Sequence, residues 1–215
     1  MRDSPTRDGG TIVVTGTGRV SVQPDVADVR LGVSVARPSV EAARTEAART
    51  MDAILAAVDE AGVPRTDVRT AMLSVQPRYD YRDGRAPALT GHDIANVVEV
   101  TVRDLAKLGA VVDGTLGAGA TSMDGLTFRV ADPASAERDA RVRAMAEARS
   151  RADVLAESAG LTIDGVLDIV EGSPLRPPIP FPKAERMAMA ADVATPVEAG
   201  ELEVAVSVTV TYRAR

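Results

Sequence analysis

The chain has 215 residues, of which 45% are hydrophobic, 26% charged and only 2% aromatic, with a formal net charge of −6. It is long enough to bury a real core, built from aliphatic side chains, and poor in the aromatic platforms that bases or sugars stack on. No cysteine is present, which excludes disulfides, thiolate metal sites and cysteine nucleophiles, and the scattered arginines form no basic block of the kind nucleic acid requires.

The opening "MRDSPTRDGG" is polar. It lacks the apolar middle region of a signal peptide, and no later run is long enough to span a bilayer. The expectation is a soluble cytoplasmic protein as the chain stands, with a periplasmic or secreted location as the alternative if a leader has been removed. Residues 1–10 read as a flexible polar head and 11–215 as the folded domain, with subdomains of about 11–103 and 104–215 as a variant reading.

Two short β-runs surround Gly16 and Gly18 in "TIVVTGTGRVSVQP". Next, "VADVRLGVSVA" alternates, with Val29, Leu31, Val33 and Val35 on one face. From Ser39 the spacing turns helical: Val40, Ala43, Ala47, Met51, Ile54, Leu55 and Val58 form a stripe, Ser39 is the N-cap and Gly62 the stop. An extended segment from Val68 to about Tyr81, a polar turn at "RDGRAP" and a return strand to Val102 follow. A short helix after Asp104 carries Leu105, Leu108, Val111, Val112 and Leu116. After the strand "GLTFRV", a second long helix begins at Asp132-Pro133 and ends at Gly160. "GVLDIVEGS" is a strand. The stretch 173–200 is rich in proline and favours an extended path. In the last strand Leu202, Val204, Val206, Val208 and Val210 point inward. The order β-β-α-β-β-α-β-α-β-β predicts an α+β fold, antiparallel strands with two long helices and one short one packed on one face.

Few constellations carry chemistry. "GTGRVS" and "GAGATS" lack the strand-to-helix setting of a phosphate loop, so their glycines read as turn residues. His92 and Asp93 are adjacent on a strand and point to opposite faces, which argues against an acid–base pair. One histidine leaves a zinc site short of ligands. Asp80 and Asp83 flank a turn where Asp is expected for its own backbone bonds. Tyr79 and Tyr81 share a face with Leu73 and Val75, and core packing with hydroxyls at a rim or subunit contact is their default reading. Asn96 falls on the apolar face of its strand and needs hydrogen-bond partners there.

The ordered set "VTGTGRVSVQPDVADVRLGV", "AGVPRTDVRTAMLSVQPRYDY", "LTGHDIANVVEVTVRDLAKLG", "GLTFRVADP" and "AGELEVAVSVTVTY" resembles the SIMPL-domain family. That family includes bacterial periplasmic proteins linked to oxidative-stress protection and a periplasmic immunogen. The resemblance implies an α+β protein with no established catalytic residues and no cofactor, forming ring- or channel-like homo-oligomers. The family usually carries an aromatic where His92 stands. The leading expectation is therefore a non-enzymatic, self-associating protein with a protective or structural role. A module binding a small ligand or protein partner through Tyr79, Tyr81, His92 and Asn96 is the alternative, and a hydrolase using His92 and Asp93 is the third reading.

Overall fold

The computed structural model describes residues 10–81, 86–172 and 195–215. The expected polar head through residue 9, Asp83 and the rest of 82–85 where a polar turn is expected, and the proline-rich run over 173–194 lie outside the described residues. The elements follow the expected order: β1 (Gly10–Val22), β2 (Val26–Arg37), α1 (Val40–Glu60), β3 (Val68–Asp80), β4 (Ala88–Val102), α2 (Leu108–Gly117), β5 (Ser122–Arg129), α3 (Ala134–Ala159), β6 (Ile163–Glu171) and β7 (Leu202–Ala214). The fold is α+β, but its strands divide between two antiparallel sheets, β1-β7-β6 and β3-β4-β2-β5. The division arises because β1 pairs along its whole length with β7, from Gly10 opposite Ala214 to Val22 opposite Leu202. Among the described residues the sheets belong to two compact units, one of residues 24–81, 86–129 and 195–199, the other of residues 10–23, 130–172 and 200–215.

In the first unit the period-two pattern of β2 buries Val29, Leu31, Val33 and Val35, and β4 adds Ile94, Val98, Val100 and Val102 on the same face. Helix α1 starts where Ser39, in extended conformation, accepts a bond from the Ala42 amide at 3.2 Å. It stops before Gly62, whose φ of 81° is left-handed and costs glycine nothing. Its stripe of Ala43, Ala47, Met51, Ile54 and Val58 is buried in one core with these strand residues and with Leu108, Val111 and Val112 of α2. Two residues expected in the helical stripes fall outside: Val40 and Leu116 sit in terminal turns and are exposed.

The second unit is built on a different device. Helix α3 begins beside Asp132, whose carboxylate accepts from the Ala134 amide at 3.0 Å, and ends at Gly160 with a φ of 69°. Its buried residues are Ala136, Ala140, Ala144, Ala148, Ala152 and Ala156, one every four positions. Such a row is inclined about 26° to the helix axis, so the surface it meets winds around the helix. That surface includes Gly16 and Gly18. A Cβ at Gly16 would lie 2.1 Å from the Ala144 carbonyl oxygen, and one at Gly18 1.8 Å from that of Ala140. These glycines are therefore not turn residues between two short runs. They lie inside one continuous strand and let its backbone touch the helix backbone.

Candidate functional site

The β3–β4 pair carries the residues that the sequence singled out. Its register sets Leu73 opposite Asn96, Val75 opposite Ile94, Pro77 opposite His92 and Tyr79 opposite Leu89. Asn96 and Ile94 are in turn opposite Val33 and Val35 of β2, so this face continues the core face. Helix α1 contacts β2 and β4, and β3 extends past that cover. Leu73 is 68% exposed, Tyr81 75%, Leu89 55% and Tyr79 44%. Core packing of the tyrosines is thus corrected: both are exposed, their rings 6.3 Å apart and tilted by 56°. Asn96 and His92 are half-buried. The structure brings the two tyrosines together and spreads the others along the strand. Asn96 is four residues from His92, about 13 Å at strand rise.

His92 and Asp93 do not meet as an acid–base couple. Asp93 accepts from Arg78 on the neighbouring strand, at 2.6 Å from Nη2 and 3.3 Å from Nε. His92 lines a cavity of about 230 Å³ with Arg37, Arg78, Thr90 and Gly91, and its Nδ1 is buried without a hydrogen-bond partner in the protein. The sequence reading missed both arginines, because their approach depends on strand register, not on spacing along the chain.

The sheet face opposite the helices holds an arginine–carboxylate lattice. Glu99 is buried and accepts from Arg69 Nε at 2.9 Å and from Arg30 Nε at 2.9 Å. These bonds, with Arg69 the larger influence, hold the Glu99 carboxyl below its ordinary range. Asp28 accepts from Arg129 Nε at 2.6 Å and from the Thr101 hydroxyl at 2.7 Å. Burial pushes its carboxyl up, and the Arg129 and Thr101 bonds outweigh that, so it too titrates low. Arg103 grips Asp67 with two bonds of 2.8 and 2.9 Å and lowers it likewise. An open cavity of about 410 Å³ lies over this face, lined by Asp28, Arg30, Arg69 and Glu99 with Asp124 and Thr127. Glu99, Asp28 and Asp67 are each held by guanidinium donors, so the lattice fixes the placement of its arginines. Among the described residues no three His, Asp or Glu side chains cluster as metal ligands.

In the other unit, helix α3 does more than cover its sheet. Arg143 donates to the Arg19 carbonyl at 2.6 Å, Glu147 accepts from the Thr17 amide, and Arg151 donates to the Thr15 carbonyl at 2.8 Å. Three side chains four residues apart thus bond to Thr15, Thr17 and Arg19, alternate residues on the free edge of β1. At the opposite edge, no comparable side-chain bonds to the β6 backbone occur among the described residues. Its Val166, Leu167, Ile169 and Val170 are 45–54% exposed although they point to both faces.

Antiparallel sheets backed by helices, stapled by arginine–carboxylate pairs and bearing uncovered apolar strands, define an α+β protein whose conspicuous features are surfaces. The chain belongs to the SIMPL family, described as proteins of unknown function (DUF541), whose model matches residues 12–212. It is 33% identical over 210 residues to the 26 kDa periplasmic immunogenic protein of Brucella melitensis, covering 94% of this chain and 83% of that protein. It is 34% identical over 149 residues to the uncharacterized protein YggE of Escherichia coli K12, covering 69% of this chain and 60% of that one. The YggE of Edwardsiella ictaluri is 27% identical over 162 residues, covering 75% and 68%. No helix among the described residues is long and apolar enough to cross a membrane.

Proposed function

We propose that this protein is a non-enzymatic, self-associating periplasmic protein whose copies meet through β6 and β3. The observation that carries the reading is β6: an edge strand with apolar side chains exposed on both faces, in a unit whose other edge is closed by its own helix. An edge left open beside an edge deliberately closed marks a pairing surface. The partner that suits it is a second copy. Strand β6 carries Asp164, Asp168 and Glu171 and no cation, whereas β3 carries Arg69 and Arg78 beside its exposed Met72, Leu73 and Val75. Arg215 and Arg141 already pair with Asp164 and Glu171, and Glu99 and Asp93 with Arg69 and Arg78, so apolar area more than charge holds the two strands together.

The periplasmic location takes support from the name of the Brucella relative and replaces the cytoplasmic expectation. A protective role under oxidative stress, implied by the family resemblance, is the cellular side of the same proposal. Against catalysis by His92 and Asp93 stands the pairing of Asp93 with Arg78. Sedimentation velocity of the wild type and of Ile169→Lys tests the assembly. The wild type is expected to sediment as a multimer at micromolar concentration, and the variant, which places a charge in the middle of β6, as smaller species with unchanged circular dichroism. A monomeric wild type, or a variant that assembles as the wild type does, removes the proposal.

A further inference from the structure

We propose that the cavity on the face of the β3-β4-β2-β5 sheet turned away from its helices is a binding site for a small zwitterion, a molecule carrying a carboxylate and an ammonium close together, as free amino acids do. One rung of the sheet builds it. Arg69 of β3 is opposite Glu99 of β4, Glu99 is opposite Arg30 of β2, and Arg30 is opposite Gly125 of β5. Gly125 ends the rung without a side chain, and a Cβ there would meet nothing within 4 Å. Beside it β5 bulges. Met123 is opposite Leu31 and Leu126 opposite Val29, and both of these β2 residues face the core. The residues between Met123 and Leu126 therefore fall together on the outer face, with Asp124 as the extra residue of the bulge beside Gly125. With Asp28 and Thr127 these residues line a cavity of about 410 Å³, within the range of small-ligand sites, about 300–1,000 Å³.

The charges around this cavity do not cancel group by group. Arg30 and Arg69 share the single carboxylate of Glu99, which leaves a surplus of positive charge there. Asp28 is matched by Arg129, and Asp67 by Arg103. Asp124 is exposed and has no hydrogen-bond or ion-pair partner among the described residues. Arg30 gives Nε to Glu99, so both of its terminal nitrogens keep their N–H groups for a ligand. Arg69 gives Nε and Nη2 to the same carboxylate and keeps Nη1. Both side chains are accessible, at 58% for Arg30 and 74% for Arg69, and the buried Glu99 between them fixes where they stand. The site is thus dipolar, with guanidinium donors on one side and an unmatched carboxylate on the other. A simple anion is repelled by Asp124 and a simple cation by the arginines, whereas a zwitterion meets opposite charge at both ends. The guanidiniums take its carboxylate through charge-assisted bonds, and Asp124 accepts from its ammonium.

The experiment titrates the full chain with glycine, acetate or methylammonium near neutral pH at fixed ionic strength. The backbone amides of Asp124 and Gly125 are followed by heteronuclear NMR. Glycine is expected to shift them saturably, with half-saturation about tenfold below that of either single-charge probe, the worth of one charge-assisted bond. Asp124→Asn, at an exposed residue that holds nothing else in place, should raise the glycine value to that of acetate without weakening acetate. Arg30→Gln should raise the values for glycine and acetate alike by about tenfold, with circular dichroism unchanged in both variants. Acetate saturating as readily as glycine would mean a plain anion site, and methylammonium doing so a plain cation site; either result overturns the proposal. So does the lack of a saturable response to glycine, or a glycine response that either substitution leaves unmoved.

Discussion

Glu99 shows how much a single residue here depends on its neighbours. It sits in a run of valines, "NVVEVTV", where alternation turns it away from the core, and two arginines from flanking strands close over it. Its folded carboxyl is easier to ionise than in the unfolded chain, as are those of Asp28 and Asp67. For such lowered groups the stabilisation is complete above the unfolded values, about pH 4 to 4.5, and is lost as pH falls through the folded ones. Glu99→Gln should therefore cost about 1–2 kcal/mol near neutral pH, measured by urea denaturation, and its stability curve should approach the wild type as pH falls through the lowered folded value. A penalty that persists unchanged at low pH would mean packing, not charge, is what Glu99 supplies. The alternation that turns Glu99 outward was legible in the sequence. The arginines were not, because Arg30, Arg69 and Glu99 are brought together only by the pairing of three strands.

At the scale of elements, the same limit separates what was read correctly from what was not. The stop signals at Gly62 and Gly160 and the start at Asp132-Pro133 are local chemistry and appear where expected. The inward faces of β2 and β7 follow from alternation alone. Helix α3 hid its packing face, because the residues that bury are alanines spaced by four. Alanine is also the residue that any helix favours. Nor could alternation tell that Tyr79 and Leu73 stay exposed on a face that α1 covers over β2 and β4. The contrast between β1 and β6 makes a prediction at this scale. Replacing Arg143, Glu147 and Arg151 together by alanine strips the β1 edge of its cover while leaving the buried alanine row intact. The variant should associate further than the wild type, read as added scattering intensity and larger sedimenting species. If its association equals that of the wild type, the three side chains are not shielding the edge.

For the whole molecule, the two units differ in how they are threaded. One takes nearly all of its core from a continuous stretch, residues 24–129, and adds only a short return segment in which Thr195 bonds to Asp113 at 2.6 Å. The other takes strands from both ends of the chain. A fragment of residues 24–129 contains β2, α1, β3, β4, α2 and β5 with the aliphatic cluster they bury. It should show mixed helix and strand circular dichroism and unfold cooperatively in urea, somewhat less stably than in the full chain. A fragment lacking residues 1–23 should lose the fold of the α3 unit, since the alanine row would then face no strand backbone at Gly16 and Gly18.

The pairing of β1 with β7 has a consequence for biosynthesis. The two strands are separated by residues 23–201, so the sheet they form cannot close until β7 has left the ribosome. The interior unit can collapse early on its own local contacts. The glycine-bearing strand β1 must meanwhile wait for a partner made long after it. Whatever accompanies the chain during synthesis has that one strand to keep from pairing elsewhere.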